Sequence, residues 1–420
     1  MSKTSLPILV PGMPWQKYSC HGCGDCCRDF TVQLRDRDLK KLASQGWSEK
    51  IGIPITQTFR GSSYLARQDD GACIFLDDEG LCRIHAEFGF EEKPIACQVF
   101  PFNIAPDSSS IRVGVNFLCK SVQQNRGAGL ESHRKDLKRF VHSLPELNQP
   151  TADPPLTSDI NSASRKEIDA LVGRADTWLC GSAIDLPTRL DGLAFIATCL
   201  GEATLKEVRQ ERFVELVDTL FSVLPDELHL QPIESATRRQ QGLLRQAVFT
   251  RTEDPRIDST RGRLSAVLSQ LMRSRSMRRG RGCTPHLTPA LPEGVDFRTI
   301  EGVASFDESP EADSISELWL RYIRASLFSG RLWGSAYYGW SVVDGLQALI
   351  LNLACISWLA KLSSASEHRP VALLKDYQLA IGRVDRQVGR APWLGNPVEK
   401  TRLSYFRMNS GFRRILRHYL

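Results

Sequence analysis

The sequence predicts an α+β protein: a small cysteine-rich metal-binding N-terminal domain followed by a mostly α-helical domain. Three observations carry that expectation. Eight of the twelve cysteines fall within the first 119 residues. Short β-branched or aromatic runs lie between them, as in strands. From Glu131 onward the apolar residues adopt helical spacing. A chain of 420 residues, 42% hydrophobic and 24% charged, has the size of two or three ordinary globular domains. It can bury a real core, so a metal is not needed merely to staple a tiny fold.

The elements follow in order. Phe30–Leu34 and Ile111–Leu118 read as strands, and Asp36–Ser44 as a short helix. Cys73–Leu76 reads as an extended piece that ends in the turn Asp77-Asp78-Glu79-Gly80. Residues 1–143 form the cysteine-rich domain. Residues 144–163 carry Pro145, Pro150, Pro154 and Pro155 and are read as a linker. Residues 164–420 are read as helical. Ser164-x-x-Glu167, Thr204-x-x-Glu207 and Ser314-x-x-Glu317 each fit a capping box, in which a hydroxyl and a carboxylate satisfy the first amides of a helix. Residues 273–314 hold Ser-Arg-Ser, Gly-Arg-Gly and four prolines, and are read as a basic loop. Leu346–Leu362 is the most apolar stretch. Gln347, Asn352 and Lys361 interrupt it and Asp344 precedes it, which favours a buried central helix over a membrane span.

The motif that carries chemistry is Cys20-His-Gly-Cys23-Gly-Asp-Cys26-Cys27. A Cys-x-x-Cys loop aims two thiolates at one ion, and Gly22 and Gly24 permit the backbone conformations such a loop needs. Cys73, Cys82, Cys97 and Cys119 must return through the fold. Eight thiols suffice for two four-thiolate sites, or for one cluster and a second ion. Adjacent cysteines such as Cys26 and Cys27 can serve different sites. Disulfides are the competing reading, but they belong to oxidising compartments. The segment 1–20 is interrupted by prolines and is not read as a secretory leader, so a reduced cytoplasmic setting is expected. Thiolates select zinc or iron–sulfur. The Cys-x2-Cys-x2-Cys run leans toward a [4Fe-4S] cluster with Cys97 as the remote fourth ligand, and zinc stays open. His85 has ligand-like spacing from Cys82 but also fits an interior histidine. His21 is expected to face solvent or a carbonyl, and Asp25 to be a loop acid. Cys180, Cys199, Cys283 and Cys355 are dispersed and read as ordinary thiols.

Cys20-x2-Cys23-x2-Cys26-Cys27, Cys73-Ile-Phe-Leu, Gly80-Leu-Cys82-Arg-Ile-His85, Lys93-Pro94-x-x-Cys97-x-x-Phe100-Pro101 and Cys119 together resemble the CxxCxxCC family of zinc- or iron-chelating domains, often labelled YkgJ. Lys93 and Gln98 stand where that family usually has arginine, which bears on anion binding rather than on ligation. The length and layout also loosely resemble the flagellin lysine-N-methylase branch. That resemblance implies S-adenosylmethionine-dependent methyl transfer to lysines of a protein substrate such as flagellin. A pocket for that cofactor calls for aromatic stacking and a cation, and Arg331, Trp333, Tyr337, Tyr338 and Trp340 cluster suitably. The same aromatics could simply pack the core. No strand running into a Gly-rich turn marks a Rossmann site.

Between Thr237 and Gly282 lie twelve arginines, three acids and no lysine, so this segment is +9 and the rest of the +6 chain is −3. It could dock an acidic partner, which makes a non-catalytic, metal-stabilised interaction protein the alternative function. Without interleaved aromatics it offers no base-stacking platform, and nucleic acid is not expected as a partner.

Overall fold

The computed structural model describes residues 6–10, 13, 15–59, 61–160, 162–230, 233–252, 263–288 and 291–420. The chain divides between Pro150 and Thr151 into two compact units.

The N-terminal unit is built from short pieces. Its strands are β1 (Ile8–Leu9), β2 (Lys17–Tyr18), β3 (Thr56–Phe59), β4 (Ser62–Leu65), β5 (Phe102–Pro106), β6 (Ile111–Val115) and β7 (Ala128–Gly129). Its helices are α1 (Asp25–Asp29), α2 (Asp36–Ser44), α3 (Trp47–Ile51), α4 (Arg83–Phe88), α5 (Ile95–Val99), α6 (Lys120–Gln123) and α7 (Arg134–Ser143). β6 pairs parallel with β1 and antiparallel with β5, from Phe102 opposite Val115 to Pro106 opposite Ile111. Asp107 makes the β5–β6 hairpin by accepting the amides of Ser109 and Ser110 at 2.8 and 2.6 Å. β2 pairs with β7 and β3 with β4, both antiparallel.

The helix expected at Asp36–Ser44 and the turn at Asp77–Gly80 are present. The strand expected at Phe30–Leu34 is not. The short helix α1 ends just before it, and the segment meets β4 through a bridge at Gln33, two backbone bonds, Leu34 N to Ser63 O and Leu65 N to Val32 O, and a side-chain bond from Gln33 Nε2 to Ser62 Oγ. Its apolar side chains nevertheless reach the core of this unit. There Val32 and Leu34 join Leu42, Trp47, Ile55, Leu65, Ile74, Phe75 and Ile84, with Cys73, Cys82 and Cys97 packed against them.

The second unit is helical: α8 (Arg165–Cys180), α9 (Leu186–Glu202), α10 (Glu211–Leu230), α11 (Arg238–Thr252), α12 (Arg263–Arg279), α13 (Phe297–Glu301), α14 (Ala312–Phe328), α15 (Val342–Ser366), α16 (Leu374–Gln387), α17 (Pro397–Arg407) and α18 (Gly411–Tyr419). α15 is the hub, in contact with α9, α11, α16 and α18. By length and apolar composition it could cross a membrane, yet it lies wholly buried inside this unit. Its three polar interruptions explain why it sits well there. Gln347 donates to Ala197 O at 2.9 Å, Asn352 accepts from Arg251 Nε at 2.6 Å, and Lys361 donates to Val303 O at 2.9 Å. Each of these three side chains thus makes at least one hydrogen bond, without which its burial would cost free energy, although Asn352 Nδ2 finds no partner among the described residues.

Of the three capping boxes, Ser164–Glu167 forms and starts α8. Ser314 lies inside α14, which starts at Ala312, and Thr204 lies in a turn region before α10. The second half of the expected linker is packed rather than loose. Leu156 and Ala163 are fully buried, and the carbonyls of Pro155 and Leu156 accept the first amides of α15 at 2.8 and 3.2 Å. Residues 273–314 are likewise not one loop. They include the end of α12, α13, and a turn fixed by Thr284 N to Val295 O and Phe297 N to Gly282 O. Pro289, one of the four prolines there, lies outside the described residues.

Candidate metal centre

All eight N-terminal cysteines are free thiols, so the disulfide reading fails. The loop that carries the first four turns through left-handed backbone at Gly22 (φ 65°) and Gly24 (φ 71°). A Cβ on Gly24 would lie 2.8 Å from the carbonyl of Gly80, so this loop also needs the close approach that glycine allows. After Gly24 the chain enters α1, and Cys26 and Cys27 occupy its first turn.

Seven of the eight line one cavity of about 310 Å³: Cys20, Cys23, Cys26, Cys27, Cys82, Cys97 and Cys119. Cys73 lines an adjoining cavity of about 50 Å³, together with Cys26, Cys27, Cys82 and Cys97. The thiols divide by which others their charges feel. Cys23 feels Cys20, while Cys26 and Cys119 both feel Cys20. Cys119 also feels Cys23. Cys73 and Cys97 feel Cys27 and Cys82, and Cys97 feels Cys73. These interactions outline one set, Cys20, Cys23, Cys26 and Cys119, and a second, Cys27, Cys73, Cys82 and Cys97, joined by the hydrogen bond between Cys26 and Cys27.

Cys97 lines the larger cavity together with the Cys-x2-Cys-x2-Cys run, but the chain after Cys119 is tied to that run directly, by two contacts. Lys120 pairs with Asp25 at 2.9 Å, and Ser121 Oγ meets His21 Nδ1 at 2.9 Å. Cys97 instead sits on α5 beside Phe75 and Ile84, where the second set gathers. Among the described residues, no three His, Cys, Asp or Glu side chains already close on a single point, so the expected tight convergence of sulfurs is not present.

Electrostatics distinguish the thiols. Burial pushes Cys73 up to about 12 and Cys119 up to about 11, and it raises Cys23 and Cys97 as well. Backbone amides oppose this. Those of Val122 and Ser121 act on Cys119, that of Phe75 on Cys73 and that of Asp25 on Cys23. The hydrogen bond from Cys26 brings Cys27 down to about 7, helped by Lys93 and Arg28, and drives Cys26 upward. Burial would lower Lys93, but the charges of Cys82, Cys97, Cys27 and Cys20 outweigh it and raise it. Lys93 thus supplies a positive charge to thiolates of both sets. Gln98 holds the lysine's loop by donating to the carbonyls of Glu91 and Lys93 at 2.9 and 2.6 Å. The donor set fits a soft cation or cluster: sulfur ligands, amides aimed at them and a lysine that offsets their charge.

His85 lines the larger cavity with its ring against Phe90 at 6.0 Å. Tyr18, Lys120 and Ser121 line the same cavity and escaped the sequence reading. Only their nearness to Cys20 and Cys119 in the chain could have flagged them.

The cofactor cluster expected in the helical unit is committed to packing. Trp333, Tyr337 and Trp340 are buried, and Tyr337 lies 5.4 Å from Trp340 and 4.9 Å from Tyr338, ring to ring. Arg331 pairs with fully buried Asp385. Tyr337, Tyr338 and Trp340 thus pack on one another, and none of the five side chains lines the cavities described above. The arginine segment is not one surface either. Buried Arg251 pairs with Glu399 at 2.7 Å and buried Arg245 with Glu301 at 2.8 Å. Arg256, Arg261 and the three acids of that segment lie outside the described residues.

Residues 19–124 match the CxxCxxCC family model, whose description is "Putative zinc- or iron-chelating domain". That span holds all eight clustered cysteines and both cavities, apart from Tyr18 at the edge. An uncharacterized protein of Methanocaldococcus jannaschii is 32% identical over 88 residues, covering 20% of this chain and 29% of that protein. The chain thus spans well under half of this relative. No solved structure matches. The resemblance to the flagellin methylase rests on the helical unit, which the family match does not reach.

Proposed function

We propose that the N-terminal unit holds two metal centres, one on Cys20, Cys23, Cys26 and Cys119 and one on Cys27, Cys73, Cys82 and Cys97. The observation that carries this reading is that the eight thiols line two adjoining cavities, Cys20, Cys23 and Cys119 only the larger and Cys73 only the smaller. Four thiolates satisfy a tetrahedral zinc ion or the corners of a four-iron cluster. Either centre keeps its thiols deprotonated, which overrides the upward push of burial. In this reading the protein works in a reducing compartment, where free thiols persist. A flagellin-type lysine methylase or an S-adenosylmethionine site has no support from the residues first assigned to it.

Metal analysis and optical spectra of protein purified without oxygen test the proposal. Cys119→Ser and Cys97→Ser should each remove about half of the bound metal, since each takes away one of four thiolate ligands. Broad visible absorption that bleaches on reduction would mark iron–sulfur centres; colourless protein with stoichiometric zinc would mark zinc. Loss of all metal in both variants, or of none in either, would overturn the two-set division.

A further inference from the structure

α12 presents a solvent face with two chemically different halves. Val267, Leu268, Leu271 and Met272 are each between 52% and 70% exposed, a concentration of large apolar side chains unlike the rest of this unit's surface. Arg275, Arg278 and Arg279 follow, also exposed. At about 100° per residue, Val267, Leu271 and Arg278 share one edge of the helix, and Leu268, Arg275 and Arg279 the other. The apolar and basic groups therefore lie on the same face, one after the other along the axis. The opposite face is anchored. Met277 is fully buried, Arg273 stacks over Phe249 of α11 at 5.8 Å, and Arg278 O would lie 2.7 Å from a Cβ on Gly242 of α11. The exposed face is thus held rigidly outward.

We infer that this face docks a protein segment that is itself amphipathic, with apolar side chains along one half and carboxylates along the other. Charge decides among occupants. From Arg263 to Gly282 every ionisable group is an arginine, so the basic half requires an acidic counterpart. A second copy fits poorly. Two such helices paired parallel set arginines against arginines, and paired antiparallel they set arginines against the apolar half. A bilayer also fits poorly. A helix lying in a membrane interface separates its apolar and basic groups around the axis, whereas here the arginines would point toward the acyl chains. Alternating anchors at helical spacing suit a partner helix laid along the stripe.

The test uses the full chain and a fluorescent synthetic helix of about 20 residues, enough to lie along α12. Leucines occupy one face of its first half and glutamates the same face of its second half. Control peptides carry lysine for glutamate or serine for leucine. Anisotropy should show binding of the first peptide alone. Leu271→Glu should weaken it at least about tenfold, as expected for a central apolar anchor. Replacing Arg275, Arg278 and Arg279 together by alanine should weaken it about tenfold at low salt and flatten its salt dependence. All the substituted positions are exposed, so folding is preserved, and helical circular dichroism checks it. Equal binding of the control peptides, or no effect of either variant, overturns the inference. So does self-association that Leu271→Glu abolishes, which assigns the face to a second copy. Sedimentation with phosphatidylserine vesicles that the same variants abolish would assign it to a membrane surface.

Discussion

The two units solve the same problem with different means. The helical unit rests on α15, twenty-five residues long and buried from end to end except at its last residue. Its helices need no ligand to explain their packing. Among the described residues of the N-terminal unit no helix exceeds ten residues and no strand exceeds five. Elements that short are marginal alone. Its cysteines line cavities where a larger domain would place leucines. The helical unit is organised by apolar area, whereas the N-terminal unit joins a smaller apolar core to thiol-lined cavities, so each should fail through a different insult.

The largest contrast should appear on metal removal. Ligation contributes on the order of 10 kcal/mol in small zinc domains. Chelation should strip amide-exchange protection from β2 through α7 and leave α8 through α18 protected. Parallel loss in both units would show a single cooperative structure. The reverse insult is Ile350→Ala at a fully buried position of α15. It should cost about 2–5 kcal/mol and lower the melting temperature of the helical unit while metal content stays unchanged. A smaller effect follows from Glu167, which is fully buried. Burial pushes its carboxyl up, but Arg209, the Gln210 and Ser164 amides and the Ser164 hydroxyl outweigh it and hold it at about 2. The stabilisation is therefore complete above the ordinary glutamate range and fades as pH falls toward about 2. It is worth about 3 kcal/mol. Glu167→Gln should remove that acid sensitivity from the helical unit, as read by denaturant midpoints across pH. Cys180→Ser, at an exposed position, should change neither stability nor metal content.

Legibility in the sequence differed along the same line. The cysteine motif announced its chemistry, because a thiol pattern has few uses. α2 and the Ser164 capping box were readable because their signals are local. Which thiols group together was not readable. The approach of Cys119 to the motif depends on Lys120 reaching Asp25 and His21 reaching Ser121, contacts set by the fold rather than by spacing. The aromatic cluster was ambiguous for a related reason. Tyr337 and Trp340 have the same appearance whether they stack on a ligand or on each other. The arginine run was readable only as a charge count, which cannot tell Arg251, buried on Glu399, from Arg279 in solvent.

Cys26 and Cys27 are consecutive residues on one five-residue helix, and in the proposed division they serve different centres. Filling either centre fixes the backbone of that helix and so pre-positions a ligand of the other. The second ion then meets a partly assembled site, with less chain entropy left to lose. Occupancy should accordingly rise more steeply than for two independent sites, and half-loaded molecules should be scarce at every stage of a titration.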